Sequence, residues 1–241
     1  MKPLLIALST LTALPVPTGK WSNKDLKASV IFYPLAGAFI GGLLAVCSKI
    51  LLSADLQALV ILLIWVLITM AFHLDGLGDC LDGWLGGKNP AERQRIMKDA
   101  AMGVYGTTGI VLTLLFKYVL LVHLLSQGNA WAWLLAIPVA ARWAVTLSCL
   151  TASAPLGDKG LGSYVLGLSF PAFALSTGLT LPVFLILGWK WLGALTLSAL
   201  ISFIFSSWSK NRIGGLTGDG MGATIETIEV CLLFLACLSL S

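Results

Sequence analysis

Long, nearly unbroken apolar stretches cover residues 30–52, 56–74, 109–126, 131–150, 171–188, 191–208 and 223–240. Each is close to the roughly 20 residues that a helix needs to cross the hydrocarbon of a bilayer. Inside lipid the backbone must satisfy its own polar groups, so these stretches predict helices and no strands. The predicted fold is an all-α polytopic membrane bundle of about seven transmembrane helices. A shorter apolar run, residues 4–14, follows Lys2 and ends at Pro15-Val16-Pro17. It covers about half the hydrocarbon thickness and lacks an A-x-A-like cleavage site, so it predicts an uncleaved interfacial or re-entrant helix.

Composition sharpens the membrane reading. Charged residues make up 11% of the chain and apolar ones 58%, against about 25% charged in soluble domains. No low-complexity tract, polar linker or internal repeat divides the sequence, and residues 1–241 read as one integral-membrane domain. The five cysteines are scattered without C-x-x-C spacing and imply neither a disulfide framework nor a zinc site. Basic residues are not clustered with aromatics, which excludes a nucleic-acid surface.

Charge distribution gives the orientation. Lys2, Lys20, Lys24, Lys27, Lys88, Arg93, Arg95, Lys98, Lys159, Lys210 and Arg212 fall on one side of the predicted spans, and Lys49 and Lys190 on the other. The positive-inside rule places the N-terminus and the longer loops in the cytoplasm. The acids follow the same side, except Asp55. Any acidic site therefore faces the cytosol. In the first span, Gly37 and Gly41 form G-x-x-x-G, a close-packing face for a helix of the same chain or for a second protomer in a homo-oligomer.

The chemistry concentrates where the second span meets the cytoplasm, in F-H-L-D-G-L-G-D-C-L-D-G (72–83). Asp75, Asp79 and Asp82 stand at i, i+4 and i+7, on one face of a helix. Three such carboxylates repel unless a cation lies among them, and a hard divalent ion such as Mg2+ suits oxygen ligands and shares its shell with phosphates. The plain alternative is a polar helix end facing water. His73 falls nearly opposite this face and reads as a packing histidine.

Two further segments add candidates. Residues 98–106 supply Lys98, Asp99, Gly103 and Gly106; residues 214–223 hold Gly215, Thr217, Gly218 and Asp219 in a glycine-rich loop before a helix. Such a loop can cradle phosphate with its N–H groups, or merely make a tight re-entry into the membrane; the P-loop spacing is absent. Lys117, Arg142, Glu226 and Glu229 lie inside spans at a common depth, which is costly unless they pair or face a cavity. They predict either one polar cavity, with Lys117 and Arg142 for phosphate and the glutamates for metal, or mutual ion pairs. Together these features describe a membrane-bound, magnesium-dependent phosphotransferase.

The three motifs F-H-L-D-G-L-G-D-C-L-D-G, K-D-A-A-M-G-V-Y-G and L-T-G-D-G-M-G-A-T-I-E, with L-P-V-P at 14–17, resemble the cobalamin synthase family, the adenosylcobinamide-GDP ribazoletransferases, across essentially the whole chain. The resemblance implies transfer of the cobinamide-phosphate moiety of adenosylcobinamide-GDP to α-ribazole or its 5'-phosphate, releasing GMP, with Mg2+ and at the inner membrane. It implies Asp75, Asp79 and Asp82 as metal-binding residues, with Asp99, Asp219 and Glu226 as further candidates, and it raises His73 to a candidate for substrate binding. One departure stands out: Ala100-Ala101 replaces the family's Ser-Arg, leaving Lys98 or another base to compensate. A CDP-alcohol phosphotransferase, or from a different class an ion or metabolite transporter, is the competing reading.

Overall fold

In the computed structural model, which describes residues 1–17, 19–50, 52–128, 130–188 and 191–240, the apolar stretches are helices and the breaks between them carry the site. The chain opens with α1 (Lys2–Leu11) and α2 (Asn23–Ser29). Ser22 and Asp25 start α2 with a reciprocal capping box, satisfying N–H groups that a helix start leaves open. A 3-10 turn, Val30–Phe32, leads directly into α3 (Tyr33–Cys47). The following helices are α4 (Ala54–Ile68), α5 (Phe72–Gly86), α6 (Pro90–Met97), α7 (Val104–Ser126), α8 (Ala130–Thr151), α9 (Leu161–Val165), α10 (Phe170–Leu187), α11 (Leu192–Ile213) and α12 (Gly218–Leu240).

Among the described residues six segments are long and apolar enough to span a membrane, and α4 with α5, apolar enough together but bent by 82°, is a broken seventh span or a re-entrant pair. Helices α8 and α12 are largely buried and make the centre; α7 and α10 leave most of their surface to lipid. The α3–α8 contact explains the small-residue motif. A Cβ on Gly37 would stand 2.5 Å from the Pro138 carbonyl oxygen, and one on Gly41 would stand 2.9 Å from that of Leu134. The Gly37/Gly41 face is therefore spent on α8 of the same chain, and is not the surface for a homo-oligomer.

The second span departs from the uninterrupted helix expected over 56–74. Met70 and Ala71 adopt positive φ, 52° and 56°, a conformation that costs non-glycine residues about 1–3 kcal/mol each and needs support from its surroundings. Support comes from the segment just after α1: the Ala13 N–H donates to the Ile68 carbonyl at 2.7 Å. The chain leaving the N-terminal helix thus holds the end of α4, beside the break from which α5 sets out in a new direction.

The long loops gather at one end of the bundle. Lys2 pairs with Asp25 at 2.9 Å, the Arg93 Nη1 donates to the Arg212 carbonyl at 3.1 Å, and Gln94 donates to that of Ile213 at 2.8 Å. Lys49, beyond the other end of α3, lies over the Trp131 ring at the start of α8. Lys190 lies outside the described residues.

Candidate active site

The α5 helix carries Asp75, Asp79 and Asp82 on one face but at graded depth: Asp75 is exposed, Asp79 half-buried and Asp82 buried. Asp82 is already engaged. Its two oxygens accept the Gly103 N–H at 2.7 Å and the Gly106 N–H at 2.9 Å, capping the start of α7 from a different helix. This accounts for both glycines, since a Cβ on Gly103 would stand 2.5 Å from Asp82 Oδ1 and one on Gly106 would also meet the carboxylate. Gly103 and Gly106 are placed to hold Asp82 rather than to touch a ligand.

A fourth carboxylate arrives from α12. Gly76 lets α5 approach so closely that its Cβ would lie 2.8 Å from the Asp219 carbonyl oxygen. Asp79 therefore lies in the field of Asp75, Asp219 and Asp82, and Asp219 in that of Asp75, Asp158 and the opposite charge of Lys98. Few positive groups answer these acids, and a multivalent cation is the natural complement.

Two cavities adjoin this cluster. A polar one of about 530 Å³ is lined by Gln94, Lys98, Asp158, Lys159, Thr217 and Asp219 among others. A second, of about 290 Å³, has walls from Leu26, Tyr33, Phe72, Val145, Met221 and Ile225, with His73, Asp75 and Asp219 also lining it. Leu161, Gly162, Gly218 and Asp219 belong to both. The partition is thin because α9 and the start of α12 meet at glycines: a Cβ on Gly162 would stand 2.5 Å from the Gly218 nitrogen. The N-terminus of α12 opens at this partition, and its partial positive charge favours an anion there.

Other sequence candidates fall into place around the cluster. Lys98 lines the polar cavity, whereas Asp99 is exposed and its Oδ1 accepts the Ala101 N–H in a turn. Thr217 faces the polar cavity and its hydroxyl accepts the Gly220 N–H at 3.2 Å, capping α12. Gly215 packs against the backbone of residues 153–155 and serves the loop. Asp158 and Lys159 were legible only as loop charges; the available signal was an acid and a base between Gly157 and Gly160.

The four intramembrane charges do converge, on one another. Lys117 Nζ donates to Glu226 Oε2 at 2.7 Å and to Glu229 Oε2 at 2.6 Å, while Arg142 Nη1 donates to Glu229 Oε1. All four side chains are at most 5% exposed, and none lines either cavity. The expectation that Lys117 and Arg142 offer charge to phosphate, and Glu226 to metal, gives way to a closed network. The reason is that two acids and two bases in a low-dielectric interior neutralise each other at contact distance. Its outlet is His73: Arg142 Nη2 lies 3.3 Å from His73 Nδ1. Arginine can only donate, so Nδ1 accepts and Nε2 carries the proton.

The family described as cobalamin-5-phosphate synthase matches residues 3–237. The chain belongs to that family. It is 38% identical to the adenosylcobinamide-GDP ribazoletransferase of Acinetobacter baumannii over 97% of this chain and 96% of that protein. The enzymes of that name from Pseudomonas syringae and Chlorobaculum parvum are 35% and 33% identical, over 97% and 98% of this chain and 98% and 94% of theirs. No solved structure matches. Membership of the cobalamin-5-phosphate synthase family makes the chain an enzyme of cobalamin biosynthesis, and sets aside the transporter and CDP-alcohol phosphotransferase readings.

Proposed function

We propose that this enzyme transfers the cobinamide-phosphate moiety of adenosylcobinamide-GDP to α-ribazole or its 5'-phosphate at the Asp75–Asp79–Asp82–Asp219 cluster, with Mg2+ and on the cytoplasmic face of the inner membrane. The observation that carries the proposal is the meeting of α5 and α12 at Gly76, which brings carboxylates from two helices to the partition between two cavities.

In the reaction a ribose hydroxyl oxygen forms a bond to the corrinoid-bearing phosphorus and the bond from that phosphorus to GMP breaks. The hydroxyl loses its proton and GMP leaves with the electron pair. The donor groups suit this step. Lys98 and Lys159 stand on the polar cavity, where they can hold phosphate charge, and the α12 N-terminus points at the same place. Asp75 and Asp219, on the acceptor side, can orient a hydroxyl and take its proton.

Among the described residues no three His, Cys, Asp or Glu side chains enclose an ion by themselves. Mg2+ is commonly held by one or two carboxylates, with waters and substrate phosphate oxygens completing its shell. One or two of Asp75, Asp79 and Asp219 would hold it, with Asp82 placing the end of α5. Bound there, the ion would neutralise pyrophosphate charge and improve GMP as leaving group. The orientation rests on the Lys and Arg bias towards the end carrying α6. The test is GMP release by protein in lipid: it is expected only with adenosylcobinamide-GDP, a ribazole and Mg2+ together. Release without the ribazole, or undiminished by EDTA, would overturn the proposal.

A further inference from the structure

The smaller cavity is lined by fewer charged side chains than the larger one. Leu26, Val145, Met221 and Ile225 give it aliphatic walls and Tyr33 and Phe72 aromatic ones, while its polar groups are confined mainly to His73, Asp75 and Asp219, with Thr10 on α1. Its volume, about 290 Å³, is at the lower end of the roughly 300–1,000 Å³ typical of small-molecule sites. A corrin macrocycle with its side chains is too large for it. Guanine would bring an amide edge and an amino group that aliphatic walls leave unpaired. A flat, bicyclic heterocycle with few polar edges fits both the size and the walls.

We propose that this apolar cavity is the subsite for the acceptor's aromatic base. The base lies against α1, α2 and α12, and its ribose then reaches the Asp75–Asp219 wall, across the Gly162–Gly218 partition from phosphates held in the polar cavity. This rests on the transfer reading above and adds a division of the two substrates between the two cavities. It also gives α1 a purpose: the helix supplies Thr10 and Leu11 to the cavity wall, and the segment after it bonds to Ile68 at the end of α4.

The test separates the substrates. With protein in lipid nanodiscs, GMP release is measured while α-ribazole and adenosylcobinamide-GDP are varied in turn, and again with the riboside of unmethylated benzimidazole. Val145→Phe fills the cavity from α8. It is expected to raise the KM for α-ribazole at least about tenfold and to shift preference towards the smaller benzimidazole riboside, while the KM for adenosylcobinamide-GDP changes less than about twofold. Lys159→Met is expected to do the converse, raising only the KM for the GDP-bearing substrate.

Thr10→Trp provides an independent obstruction if Val145→Phe loses its thermal transition. Thr10 is half-buried on α1 and its hydroxyl bonds to carbonyls of its own helix, so enlarging it spares the core. An unchanged KM for α-ribazole in the folded variant, an equal rise for both substrates, or no change in base-size preference overturns the subsite. A wild-type protein that releases no GMP would instead defeat the transfer reading on which the subsite depends.

Discussion

Gly76 and Asp219 meet backbone to backbone, with the position of a Gly76 Cβ only 2.8 Å from the Asp219 carbonyl oxygen. This contact sets how far the carboxylates of α5 and α12 stand apart. Gly76→Ala must push the α12 N-terminus away. A displacement of about 1 Å can cost about 10²-fold in rate, so turnover is expected to fall by that order while the helix content by circular dichroism stays unchanged. Normal turnover in this variant would show that the spacing of the two helices is immaterial to the chemistry.

The exposed and half-buried acids should behave differently from the buried one. Asp75→Asn, Asp79→Asn and Asp219→Asn each remove a charge at nearly constant shape. GMP release is expected to drop about 10²-fold or more, with a higher Mg2+ concentration needed for half-maximal rate. Thermal stability in metal-free detergent should hold or rise, because like-charge repulsion is relieved. Unaltered Mg2+ dependence in all three variants would remove the cluster from the metal site.

Asp82 is expected to report first on structure. Asp82→Ala leaves the Gly103 and Gly106 N–H groups without their acceptor, and loss of a helix cap costs about 0.5–2 kcal/mol. A lower Tm in detergent, without metal or substrate present, checks it. An Asp82→Ala protein as stable as wild type would mean that the α7 cap contributes nothing.

The Lys117–Glu226–Glu229–Arg142 network makes the opposite prediction from a phosphate site. Lys117→Met strands a buried glutamate, a change worth about 3–5 kcal/mol of destabilisation. The expected outcome is a large loss of folded protein, with the KM for adenosylcobinamide-GDP in the surviving fraction unchanged. A raised KM at normal stability would return Lys117 to the phosphate.

Topology can be checked without activity. In a variant lacking the native cysteines, a cysteine replacing Lys88 should resist a membrane-impermeant thiol reagent in intact cells and react once the membrane is opened. Labelling from outside would invert the orientation given by the positive-inside bias.

Much of this was written locally. Apolar length marked the segments able to cross a membrane, because a bilayer demands about 20 residues of helix whatever surrounds them, but not that the second of them breaks. The i, i+4, i+7 spacing of Asp75, Asp79 and Asp82 put three acids on one helix face for the same kind of reason: helical period is a property of the backbone. Tertiary structure decided everything that depends on a second element. The break at Met70-Ala71 lets α5 pack against α12, with the segment after α1 bonded to the end of α4, and no apolar count over 56–74 contains that information. Asp82 became a cap when α7 brought Gly103 and Gly106 to it. Lys117 and Arg142 shared a depth in the sequence with two glutamates, but whether the four faced a cavity or one another turned on side-chain contacts between α7, α8 and α12. Charges that could equally have served a ligand were paired because, in a packed low-dielectric interior, the nearest opposite charge wins.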